Sequence, residues 1–130
     1  MAELLVLNRL SYPRERPEPN VPTIYFTSVN GTVYVSKRTC ELLGLLSGDR
    51  IEIVCTKTPV LRIGVRKTKS VNGFRVHPKR AGMCFSAANL VHEILTMTGR
   101  TKSITLRLAE TPADGILWTL PGSIDRRTFA

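Results

Sequence analysis

Apolar and polar positions alternate in two different periods along the chain. Thr32, Val33, Tyr34 and Val35 are all β-branched or aromatic, which predicts a strand. Ser36 follows at a helix N-cap position, where its hydroxyl can accept from an orphan backbone N–H of the first turn. Residues 37–43 predict a short helix with Cys40, Leu43, Leu45 and Leu46 on the apolar side. So short a helix is not stable alone and must pack on something. Gly44 suits the left-handed conformation that ends a helix, and Ser47, Gly48 and Asp49 are turn residues. Ile51 and Ile53 then share one face of a strand, with Glu52 on the other.

The same grammar recurs. Residues 83–85 predict a strand, Ser86 a second N-cap, and residues 87–98 a helix with the stripe Leu90, Val91, Ile94, Leu95 and Met97. Met97 belongs to the core on this reading. Gly99 ends the helix, and residues 103–108 alternate as a strand. A strand, serine, helix, glycine, strand unit thus occurs twice, predicting a pseudo-repeat of residues 23–56 and 83–110. The second copy lacks the Gly-Asp turn. Ahead of the first unit, residues 23–28 read as a strand that Asn30-Gly31 turns back. Residues 116–120 read as a last strand after the Asp114-Gly115 turn, with Trp118 packed.

Between the units, Leu61, Ile63 and Val65 share one face of a strand, and Arg62 and Arg66 the other. Asn72-Gly73 is a hairpin signal, and the returning residues place Phe74 and Val76 opposite Arg75, His77 and Lys79. The expectation is a two-stranded basic ribbon over residues 60–80, with Gly64 as a flat spot where a backbone could approach. Residues 1–22 read as an extended arm. It holds Leu4, Leu5, Val6 and Leu7, an edge strand or a docking segment for a homodimer, and then Pro13, Pro17, Pro19 and Pro22 in a spacer. Residues 23–120 form one domain, and residues 121–130 a loose tail. The predicted fold class is mostly β with two short helices (α+β), a small barrel of two βαβ-like halves. A sheet like that of single-strand binders is the alternative.

Charge sharpens this picture. The net charge is +9. No acidic residue falls between Ile53 and His92, while Lys57, Arg62, Arg66, Lys67, Lys69, Arg75, Lys79 and Arg80 all do. Clustered cations favour a polyanion, with DNA ahead of RNA. The candidate contacts are Arg62, Arg66, Lys67, Lys69, Arg75, His77, Lys79 and Arg80. Six phosphate contacts would give a log-affinity against log-salt slope of about −5. The competing view is a solvated strand face whose cations discourage edge pairing.

Other chemistry is sparse. Cys40, Cys55 and Cys84 lack close spacing to one another or to histidine, so no structural metal is expected. They read as buried free thiols in a reducing cytoplasm. No signal peptide or membrane span is evident. His77, His92, Glu93, Asp49 and Cys84 form no convergent catalytic set, and no phosphate-binding loop, H-E-x-x-H or nucleophile elbow is present. The expectation is a protein that is not an enzyme and needs no cofactor.

The spacing of Gly31, Val33, Val35, Leu43, Gly44, Leu45, Gly48, Asp49, Ile51 and Ile53 resembles the AbrB/SpoVT swapped-hairpin family of bacterial DNA-binding domains. The likeness covers about residues 23–56, and Ser36 stands where the family usually has proline. It implies an intertwined barrel that the family builds from two copies. The family reads DNA with basic residues, many on the hairpin before the helix, yet residues 23–35 here hold no Lys or Arg. The whole chain also resembles small proteins of Bacteroidetes genomes, often in mobile elements. The function expected is therefore DNA binding, with transcriptional regulation as its setting. A protein-interaction or accessory subunit of a mobile element is one alternative. A single-strand binder resembling the Whirly type is the other, with Tyr25, Tyr34, Phe74 and Trp118 as the aromatics placed to stack, most of them expected in the core.

Overall fold

The computed structural model describes residues 21–57, 59–121 and 124. The expected Leu4–Leu7 arm and nearly all of the spacer and tail lie outside these residues, although Ile124 packs against the core. The elements are β1 (Thr23–Thr27), β2 (Thr32–Ser36), α1 (Lys37–Leu43), β3 (Arg50–Thr56), β4 (Arg62–Thr68), β5 (Phe74–Arg75), β6 (His77–Lys79), β7 (Gly82–Ser86), α2 (Ala88–Thr98), β8 (Ser103–Arg107) and β9 (Ile116–Trp118). The described residues are thus mostly β with two α-helices. It forms two antiparallel sheets, β6-β7-β2-β1-β8 and β5-β3-β4-β9. No helix among the described residues is long and apolar enough to cross a membrane.

Local chemistry sets the helix ends. Ser36 Oγ accepts from Thr39 N at 3.3 Å and from Thr23 N at 2.9 Å. Thr39 Oγ1 donates to Thr23 O at 3.0 Å, so the cap of α1 also ties the helix to β1. Gly44 and Gly99 close the helices with left-handed φ values of 65° and 70°. Ser86 does not cap α2 as the sequence predicts. It stays in β7 opposite Thr32, and Ala87 N donates to Gly31 O at 2.8 Å, so the start of α2 is tied to the β1–β2 turn by backbone instead. Asn30 and Gly31 in that turn both take φ of 57°.

The turn before β3 is held by a carboxylate. Leu46 N donates to Asp49 Oδ2 at 2.8 Å, and Asp49 N returns to Leu46 O at 3.0 Å. The Leu46 N–H, with Lys67 beside it, holds the Asp49 carboxyl below its ordinary range.

The predicted ribbon between residues 60–66 and 74–77 does not form, because β3 lies between β4 and β5. The Asn72-Gly73 turn carries the chain around the start of β3. Arg50 Nη1 donates to Val71 O at 3.2 Å and Gly73 O at 3.1 Å. A Cβ on Gly73 would stand 3.0 Å from Arg50 Cβ and 3.2 Å from Ile51 O, so only glycine lets the loop pass this close. Beyond it, Val76 N donates to Asp49 O at 2.9 Å and Val76 O accepts from Gly48 N at 3.0 Å. Val76 therefore joins β5 in one sheet to β6 in the other. At the far edges the sheets also touch, through a Leu108–Thr119 bridge and the bond from Ala109 N to Trp118 O at 2.8 Å.

The core lies between the sheets. Ile24, Phe26, Val33, Val35, Phe85, Ile104 and Leu106 face Ile51, Ile63, Val65 and Leu117, and α2 adds Val91, Ile94 and Leu95. Of the three free cysteines only Cys40 is buried, which pushes its thiol up. Cys55 is exposed near the end of β3 and Cys84 is half-buried on the outer face of β7, so the expected burial holds for one thiol only.

Two outcomes follow from this packing. A Cβ on Gly31 would sit 2.6 Å from Ala88 Cα, at a positive φ. Gly31→Ala should therefore lower stability by roughly 1–3 kcal/mol in urea unfolding; an unchanged midpoint would contradict the α2 docking. Asp49 titrates lower when folded, so its stabilisation is fully present above the ordinary value of 3.8 and is lost as pH falls through the lowered one. Asp49→Asn should lower the midpoint at pH 7 and flatten this acid limb of the stability profile.

Candidate nucleic-acid interface

Strand pleating decides which cations point outward. Ile51, Ile63 and Val65 face the core, so Arg50 and Glu52 on β3, Arg62, Gly64 and Arg66 on β4, and Arg75 on β5 face out. Arg62 and Arg66 share this surface with Arg75 as the sequence predicts, but across β3 rather than directly. Arg50 is the member that sequence reading missed. Its signal was its place one step before Ile51 in the same alternation. Arg50 and Arg75 are cross-strand partners, with their guanidinium groups drawn apart, Arg50 to Val71 O and Gly73 O and Arg75 over Gly48.

The row continues across the seam. Phe74 and Val76 turn inward, so Arg75, His77 and Lys79 are exposed in succession, at a spacing of roughly 7 Å. Arg80 is exposed in the turn between β6 and β7. The band thus runs from β4 over β3 and β5 and onto the edge of the first sheet. Glu52 is the sole carboxylate at the outward positions of β3, β4, β5 and β6. It binds Arg66 Nε at 3.2 Å.

One expected contact has other work. Lys67 Nζ donates to Gly44 O at 3.1 Å and lies 3.2 Å from Asp49 Oδ2, so it braces the end of α1 and the next turn. Lys69 is exposed in the loop beyond β4, away from the paired strands. Gly64 is not an open flat spot. A Cβ there would meet Ile116 Cγ2 at 2.6 Å and Trp118 Cε3 at 2.9 Å, because the cross-strand indole covers it. Arg62 lies over that indole, 4.4 Å from the ring centroid. This contact is worth roughly 0.5–1 kcal/mol at an exposed site, and it holds the guanidinium against the outer surface.

The aromatics divide. Phe74 stacks on Phe85 at 4.9 Å beside the core. Tyr25 and Tyr34 are half-buried on the outer face of the first sheet, with centroids 5.9 Å apart. Of the titratable groups, His77 pairs across strands with Cys84, Asp49 is engaged in its turn, and His92 and Glu93 are exposed on α2. Among the described residues no group of three or more His, Cys, Asp or Glu could hold a metal ion.

Arg62→Ala should uncover the Trp118 indole and shift its fluorescence to longer wavelength, with little change in the unfolding midpoint. An unaltered spectrum would contradict the stacked arrangement. Compared with known proteins, the chain matches no family model, no curated protein and no solved structure.

Proposed function

We propose that this protein binds nucleic acid, duplex DNA in the first instance, through the band Arg50, Arg62, Arg66, Arg75, His77, Lys79 and Arg80. The observation that carries the reading is the succession of exposed Arg75, His77 and Lys79 beside exposed Arg62 and Arg66, with Glu52 as the sole carboxylate at the outward positions of these strands and of β3. A surface kept only for solvation would gain stability from carboxylates between such cations, whereas a polyanion relieves the repulsion and releases its own counterions on binding. Exposed strand surfaces of this kind suit a groove or a run of phosphates.

The finer fold belongs to the same reading. The β2–β7 ladder is centred on Tyr34 opposite Cys84, and the β4–β9 ladder on Val65 opposite Leu117. A half-turn about a line through both pairs exchanges β1–β2 with β6–β7. It also exchanges the β1–β8 ladder with the β5–β3 ladder, and the β3–β4 ladder with the Leu108–Thr119 bridge. This supports a true internal repeat whose second copy begins at β5, earlier than the sequence suggests. One chain then carries both halves of a barrel that the AbrB-like family makes from two copies. A regulator working as a monomer is the role this favours.

The test is duplex binding at several salt concentrations. About six phosphate contacts predict a log–log slope near −5. Arg62→Glu with Arg75→Glu should weaken binding on the order of 10-fold or more and reduce the slope by about 2. Affinity and slope that survive this double reversal unchanged would remove the band from the mechanism.

A further inference from the structure

The first sheet carries a second feature that duplex binding leaves unused. Ile24, Phe26, Val33, Val35, Phe85, Ile104 and Leu106 take its inner face, so the alternate residues look outward. Register then aligns them in rows across all the strands. One row is His77, Cys84, Tyr34, Tyr25 and Thr105, each opposite the next. The adjacent row is Lys79, Gly82, Ser36, Thr23 and Arg107.

The second row is sunken because Gly82 and Ser36 are small. Any Cβ on Gly82 would collide with the Val35 and Ser36 backbone, so the floor must stay low there. The result is a cleft of about 290 Å³, walled by Tyr25 and Tyr34 and bounded at one end by Lys79 and Arg80. Ser36 Oγ in the floor is already engaged with Thr23 N and with Thr39. Ser36 Oγ therefore has no hydrogen bond left for reading a base edge. What remains is a tilted pair of aromatic rings beside cations, on a sheet none of whose strands contains Asp or Glu.

We propose that this cleft takes a segment of single-stranded nucleic acid, with bases stacked on Tyr34 and Tyr25 and the backbone drawn along Lys79 and Arg80. The inference rests on the polyanion reading above and adds a distinct ligand form to it. Bases in a duplex are already stacked on one another and cannot lie on the tyrosines, so this face selects the unpaired strand. Stacking also makes binding tolerant of sequence, since every base has a π-face. Lys79 and Arg80 belong to both surfaces, which makes the cleft continuous with the duplex-binding band.

The experiment measures binding of a labelled oligo-dT and of a duplex to the full chain by fluorescence anisotropy. Tyr34→Leu and Tyr25→Leu should each weaken oligo-dT binding about 10-fold and leave duplex affinity unchanged. Tyr34→Phe, which keeps the ring, should bind like the parent. Oligo-dT affinity unchanged in both leucine variants overturns the inference, as does an equal loss in Tyr34→Phe. Duplex binding without oligo-dT binding in the parent protein also overturns it and leaves the proposed function standing; binding of neither defeats both. An acidic peptide that displaces duplex but not oligo-dT is consistent with the inference, and one that displaces only oligo-dT overturns it in favour of a peptide groove. Should the leucine variants unfold, ultraviolet crosslinking of the parent protein to oligo-dT decides: adducts on Tyr25 or Tyr34 are expected, and adducts confined to other residues overturn the proposal.

Discussion

Val76 is the point on which the arrangement of charge depends. Its side chain is fully buried, and its backbone is bonded in both directions to the Gly48-Asp49 turn. That pair of bonds lets one strand leave the second sheet and enter the first without losing its alternation. Because the pleat is preserved, Arg75, His77 and Lys79 all emerge on the same side. The turn that receives Val76 is in turn held by Asp49, and Asp49 by Lys67. A carboxylate and a lysine that look like surface charges therefore set the geometry that the arginines use.

The neighbouring interactions point the same way. Arg50 anchors the loop that passes around β3 and also faces Arg75. The anchor draws the Arg50 guanidinium toward Val71 and Gly73, while that of Arg75 lies over Gly48, so the two partners in register carry their charges apart. Trp118 shields Gly64 and holds Arg62 flat. On the opposite sheet, the tyrosine pair sits on a face free of acids. On the proposed reading the two surfaces suit different forms of the same polymer, one tracking phosphates and the other stacking bases.

Much of this was legible from residue patterns. Ser36, Gly44 and the Gly48-Asp49 turn bound α1 and its connection because their chemistry is local. The alternation of Arg62, Ile63, Val65 and Arg66 gave the correct facing for β4 for the same reason. Strand partners were not legible. Asn72-Gly73 carries a hairpin signal, yet Arg50, far away in the chain, captures that loop and sends it past β3. Ser86 has a cap's identity but is held in β7 by pairing with Thr32, a long-range effect that no local pattern shows. Which of Tyr25, Tyr34, Phe74 and Trp118 lie outside the core was not legible, because aromatic side chains in strands are usually packed. The exposure of Tyr25 and Tyr34 follows from which of two alternating sets meets the second sheet.

The most direct measurement is backbone amide NMR during titration with a short duplex at low salt. The account predicts the largest shift changes at Arg50, Arg62, Arg66, Arg75 and His77, fading as salt is raised. Changes confined to α2 and the β8–β9 connection, or no changes at all at low salt, would contradict it.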